Sequence, residues 1–224
     1  MAIIQNIINL WKAEDLLSQA WNRSYEMMEL SREIFNQAIK YLRHGENIDT
    51  LKALKKRDRE INAFQKEVRR KVLTHYAIEQ DTTDMTNGLI LVNMVVDIER
   101  IGDYCKNILD LAINYPEQIV SEDIGGDLHL IESEVKKRFD QTLEAIHTQD
   151  ADIARAQMEG YREQMTGKSD NIVNGVLRGE LEFGSTGKTA AVVLYARYLK
   201  RIGAHLKNIT TTVVNPFDSI GYKK

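Results

Sequence analysis

Apolar residues along this chain recur every three or four positions over long stretches, the repeat of a helix that buries one stripe. Leu91, Met94, Ile98, Ile101, Cys105, Ile108 and Ala112 draw one such seam, of the kind found in helical bundles. Only two prolines occur, Pro116 and Pro216, and residues 5–44 contain neither glycine nor proline. Strands need turns more often than that. The interior segments are rich in Ala, Leu, Glu, Lys, Arg, Gln and Met, which lose little side-chain freedom in a helix. The pattern predicts an all-α chain with six main helices, over 3–44, 48–77, 83–114, 127–148, 151–178 and 186–213. The first of these also reads as two helices meeting near Trp21.

The seam occurs twice. Adding 101 to its positions gives Val192, Tyr195, Leu199, Ile202, Leu206, Ile209 and Val213, again largely apolar. IERIGDYCKNI (98–108) aligns with LKRIGAHLKNI (199–209), so that Arg100, Ile101, Gly102, Lys106, Asn107 and Ile108 recur as Arg201, Ile202, Gly203, Lys207, Asn208 and Ile209. Six identities in eleven positions mark an internal duplication. The expected helix starts near Asp84 and Ser185 keep the same spacing, and each copy ends near a proline. Three helices are the fewest that enclose an apolar seam, so the chain is expected to form two tandem three-helix bundles. The first repeat takes residues 1–116, a linker takes 117–126 and the second repeat takes 127–224. No unique register between 48–77 and 151–178 is visible in the sequence.

Composition narrows the function. The 224 residues are 43% apolar, enough for a packed core. Thirty basic and 33 acidic side chains give a net charge of −3 with no basic face for nucleic acid or anionic lipid. One cysteine, Cys105, excludes an internal disulfide and fits a reducing compartment, so a cytoplasmic location is expected. The apolar N-terminus has neither the basic flank nor the cleavage site of a signal peptide, and no run is long enough to span a membrane. Ile3, Ile4, Ile7, Ile8 and Trp11 form one apolar stripe, read as a helix docking on its own bundle or on a partner subunit, with attachment to a membrane surface as the alternative. A homodimer is expected from that stripe.

Candidate chemistry concentrates on the third helix, where Glu99 and Asp103 lie four residues apart and project from one side, outward from the seam. Like charges at this spacing repel, and a hard cation with oxygen ligands would turn repulsion into binding. The plainer reading is a solvated face on which Arg100 balances Asp97 or Asp103. DIERIGDYCKNI closely resembles the LERIGDHAxNI segment of the PhoU family, which is built as two tandem three-helix bundles. That resemblance implies acidic metal ligands at Glu99 and Asp103, with Asp84 and Asp58 as further candidates. Asp84 lies fifteen residues before Glu99, where the family carries Asp-Leu-Arg and this chain has Asp84-Met85-Thr86. An acid near a helix N-terminus is the plainer role for Asp84. In the second copy Lys200 and Ala204 replace Glu99 and Asp103, so divalent or iron ions are expected at the first repeat only.

Other motifs carry less. FGSTGKT (183–189) lacks the first glycine of a phosphate-binding loop, since Glu182 stands there, and is read as a turn with Ser185 or Thr186 capping the sixth helix. His44, His75, His129, His147 and His205 have no ligand spacing, and His205 is read as a helix-surface residue. Cys105 falls on the seam, away from any base. No catalytic arrangement is visible, so the chain is not expected to be an enzyme. The family resemblance implies negative regulation of phosphate uptake and phosphate homeostasis, through contact with a phosphate transporter or a sensor kinase. The rivals are an accessory protein of a sodium–phosphate cotransporter or permease, and a metal-binding bundle with a hydrolase or storage role.

Overall fold

The computed structural model describes residues 15–79, 83–115, 119 and 125–222. Helix α1 (Leu16–His44) begins where Asp15 accepts a hydrogen bond from the Ser18 N–H, satisfying one of the orphan donors of the first turn. It ends at Gly45, whose φ of 72° is the left-handed conformation that favours glycine. The expected helix over 3–44 thus has a start at Leu16 within it, and Trp21 lies in its interior rather than at a junction. The Ile3 to Trp11 stripe lies outside the described residues.

The expected helix over 48–77 divides into α2 (Ile48–Lys56) and α3 (Asp58–Glu79). At the break the Arg57 N–H reaches both Leu54 O and Lys55 O, a tightened turn. Helix α4 (Met85–Asn114) carries the first seam and completes the first bundle with α1 and α3. The second bundle has α5 (Gly125–Thr148), α6 (Ala151–Met158), a π-helical turn Arg162–Gly167, α7 (Lys168–Leu177) and α8 (Thr186–Val214). Gly125 and Gly126 lie in the first turn of α5, not in the linker expected from the sequence. Ser185 caps α8 by accepting from the Lys188 N–H, the start expected from the loop. Among the described residues there is no strand, and no helix is long and apolar enough to cross a membrane.

Both seams are buried as their spacing requires. Leu91, Ile98, Ile101, Cys105 and Ile108 of α4 are fully enclosed, as are Val192, Tyr195, Leu199, Ile202, Leu206 and Ile209 of α8. Burying each large apolar side chain contributes about 1.5–3 kcal/mol, so this pattern supplies much of the driving force for folding. The two bundles share one core because α4 packs on α8 and α1 packs on α5. Phe35 of α1 meets Phe139 of α5 with ring centroids 5.0 Å apart. Nearby, Glu132 of α5 is buried but accepts hydrogen bonds from Tyr195, Arg43 and Lys136, which bind α8 and α1 to α5.

Packing resolves the register that the sequence left open. Gly102 of α4 lies so close to Ile61 of α3 that an added Cβ would come within 2.7 Å of its Cδ1. Gly203 of α8 makes the same approach to Met165. Gln65 donates to Val95 O at 3.3 Å, and Ser169 donates to Ala196 O at 3.0 Å. Both comparisons relate α3 to the π-helical turn and α7 by 104 residues, one more than relates the buried Leu51 and Leu54 to Ala154 and Gln157. The π-helical turn absorbs that extra residue, just after Gly160 at φ 66°.

Two measurements check this packing. Gly102→Ala is expected to destabilise the protein by about 1–3 kcal/mol through overpacking, and Ile61→Val, which deletes the clashing Cδ1, should recover part of that loss in the double variant. Denaturant unfolding of the three variants reads the effect. The second concerns Arg23 of α1, which donates to Glu67 of α3 at 2.9 and 3.0 Å. These bonds hold the Glu67 carboxyl below its ordinary range, against burial that raises it. The stabilisation is present above the unfolded value of about 4.3 and is lost as pH falls through the lower folded value. Glu67→Gln should therefore melt below the parent at neutral pH, with the difference closing as pH falls through the lowered folded value.

Candidate functional site

The acidic face of α4 is not open to solvent as its spacing suggests, because the start of α3 crosses it and brings Asp58 alongside. Asp58, Glu99 and Asp103 are only 15, 18 and 30% exposed, so three of the four candidate ligands share one half-buried patch. Lys106, one turn beyond Asp103, reaches back into the patch. Its ammonium lies 3.1 Å from Asp58 Oδ2 and 3.0 Å from Asp103 Oδ1. Asn62 also donates to Asp58 Oδ2, at 3.1 Å, whereas Asp58 Oδ1 is buried with no hydrogen-bond partner. Arg100 closes the outer side, 3.1 Å from Asp103 and 3.7 Å from Glu99.

The electrostatics follow this arrangement. Burial, reinforced by the Asp103 charge, raises the Glu99 carboxyl above its ordinary value. Burial works against the Lys106 ammonium, but its hydrogen bonds to Asp103 and Asp58 outweigh that effect and raise its pKa. The lysine therefore stays charged and supplies the positive counterpart that the neighbouring Asp58 and Asp103 carboxylates require.

Asp84 takes no part in this cluster. It sits at the N-cap position of α4, and fifteen residues at about 1.5 Å per residue separate it from Glu99 by roughly 22 Å along the helix. Its side chain makes no cap hydrogen bond; Oδ2 lies 3.5 Å from His75 Nε2, and Oδ1 is buried without a partner. Tyr76 donates to its carbonyl oxygen at 2.8 Å across Gly88, where a Cβ would strike the ring.

The oxygen donors of Asp58, Glu99 and Asp103 suit a hard cation in kind. As arranged they do not fit one: the Lys106 ammonium stands between Asp58 and Asp103, and among the described residues no three metal-type side chains converge on a common point. A metal ion would have to displace Lys106. Cys105, one residue before it, is fully buried, and burial pushes its thiol well above the ordinary range, which keeps it protonated and unreactive.

His205 is not a surface residue, contrary to its reading from the sequence. It lies where α8 crosses α4, with Nδ1 2.7 Å from Asp97 Oδ1, and Asn208 donates to the same oxygen at 3.2 Å. Asp97 and His205 have 101-related counterparts in Tyr198 and Tyr104, whose rings meet 6.0 Å apart across the same contact. That internal symmetry was the available signal for pairing Asp97 with His205. For Lys106 the signal was its i,i+3 spacing from Asp103.

Residues 25–112, the segment that contains this cluster, match the family model described as PhoU domain. No curated protein matches the chain by sequence. Two solved structures are similar in fold. PhoU from Pseudomonas aeruginosa superposes with a TM-score of 0.76 at 21% identity, over 89% of this chain and 95% of that one. The phosphate transport system regulatory protein PhoU from Streptococcus pneumoniae gives 0.72 at 17% identity, over 88% and 93%.

Removing the ammonium tests what holds the cluster. Lys106→Met should cost about 1–2 kcal/mol in urea unfolding, less than a fully buried pair because the lysine is 30% exposed. Manganese at millimolar concentration should recover part of that loss in the variant and leave the parent unchanged. Lys106→Arg should retain most of the parent's stability.

Proposed function

We propose, from the premise that the chain is a PhoU-domain protein with the PhoU fold, that it is a negative regulator of phosphate uptake and of intracellular phosphate homeostasis. The observation that carries this reading is the domain match over residues 25–112, which includes the Glu99 to Asp103 segment. The Streptococcus pneumoniae protein of the same fold is named as a phosphate transport system regulator. On this reading the chain works in the cytoplasm, as a homodimer, by contact with a phosphate transporter or its sensor kinase, and carries out no catalysis.

The surface supports recognition by contact. Leu73 at the end of α3 and Leu177 at the end of α7 are 73 and 78% exposed. They are related by the same 104 residues as the buried pairs of these helices, so the duplication preserves an exposed leucine in each bundle. Solvated leucines at equivalent positions suit a partner that meets both bundles. The acidic cluster enters this function as a structural brace held by Lys106, and a divalent or iron ion would bind at Asp58, Glu99 and Asp103 only where that ammonium is removed.

Deletion in the native host should raise phosphate uptake and alter expression of phosphate-starvation genes. Leu73→Asp with Leu177→Asp should reproduce that phenotype while leaving the melting temperature near the parent's. Unchanged uptake and gene expression in the deletion strain would refute the proposal.

A further inference from the structure

The second bundle contains the counterpart of the acidic cluster with its charge reversed. Lys200 stands for Glu99 and Ala204 for Asp103, while Asp58 corresponds to Tyr161 and Arg162, across the inserted residue of the π-helical turn. Lys207 keeps the place of Lys106. In the first bundle that ammonium lies between two carboxylates. In the second it lies 5.7 Å from the Tyr161 ring centroid and donates to Gly221 O at 3.1 Å.

Further cations surround Tyr161. The Arg138 guanidinium lies 5.2 Å from its ring centroid on the core side and is balanced by Glu134 at 2.7 Å. Arg201 is near enough for its charge to act on the phenol. Lys200 is matched by Asp170 at 2.6 and 2.8 Å. Among the described residues neither Arg162 nor Arg201 has an ion-pair partner. The π-helical turn and Gly160 open a cavity of about 590 Å³ here, lined by Met158, Tyr161, Arg162, Glu163, Thr166 and Lys207. That is within the roughly 300–1,000 Å³ of small-molecule sites, and π-turns often mark such sites.

We infer that this cavity binds a small phosphorylated molecule, with its phosphoryl group on Arg162 and Lys207. A guanidinium fork and an ammonium supply the charged donors that a phosphoryl group takes. The Tyr161 ring and Met158 offer an apolar floor for the rest of the ligand. Glu163, the one carboxylate in the lining, repels the phosphoryl group and so favours a pose in which that group lies on the Arg162 and Lys207 side. This site is separate from the regulatory contact proposed above, and either can fail without the other.

Calorimetric titration of the full chain at about 0.15 M salt with inorganic phosphate and with AMP tests the inference. Saturable binding is expected, weakened about tenfold or more by Arg162→Gln and by Lys207→Gln. Arg155→Gln, an exposed arginine of α6 outside the lining, should leave it unchanged. Equal affinity for the two ligands means that the phosphoryl group alone is recognised; tighter AMP binding means that the Tyr161 and Met158 floor contributes. The inference is overturned by no saturable binding of either ligand, by binding that survives both pocket substitutions, or by equal loss in Arg155→Gln. Arg162 is exposed, so its variant decides the matter even if Lys207→Gln fails to fold.

Discussion

The close approach of each bundle's last helix to its middle helix governs much of the remaining structure. A residue without a Cβ at 102 and again at 203 lets Ile61 and Met165 lie directly on the helix backbone. That contact fixes the register of α3 on α4 and of the π-helical turn on α8. Once the register is set, Asp58 can only fall beside Lys106, and Tyr161 beside Lys207. The two polar sites thus depend on packing between apolar side chains and bare backbone.

One scaffold therefore holds two opposite electrostatic solutions. In the first bundle three carboxylates lie near one another, and a lysine of α4 bridges Asp58 and Asp103. In the second bundle Lys200 and Ala204 stand in place of Glu99 and Asp103 while the lysine remains, so cations gather around an aromatic ring. The π-helical turn adds room at the same place, since a single extra residue cannot be accommodated in an α-helix without a bulge.

How much of this was legible in the sequence depended on whether the cause was periodic. The seams of α4 and α8, the start of α8 at Ser185 and the duplication were visible because apolar spacing and repeated residues encode them directly. The division at Arg57 and the π-helical turn were not, because both are local departures inside otherwise regular helical runs. At the site, the approach of Glu99 to Asp103 followed from helix geometry. The arrival of Asp58 beside them was only a weak candidate, since it needs the α3 to α4 register. The i,i+3 spacing of Lys106 from Asp103 was legible, whereas its reach to Asp58 depends on the α3 to α4 register. His205 was misplaced because its partner, Asp97, is 108 residues away in the chain.

The contact between α4 and α8 shows how the two repeats came to need each other. Its internal symmetry places Asp97 against His205 at one crossing and Tyr198 against Tyr104 at the other. Two first repeats pairing through this face would set Asp97 against Tyr104 at both crossings, with no imidazole to meet either carboxylate. Two second repeats would set Tyr198 against His205 at both. Only the mixed pair places a carboxylate against an imidazole and ring against ring. The duplicated units have diverged into complementary mates, and their covalent connection guarantees that each finds the other rather than its own kind.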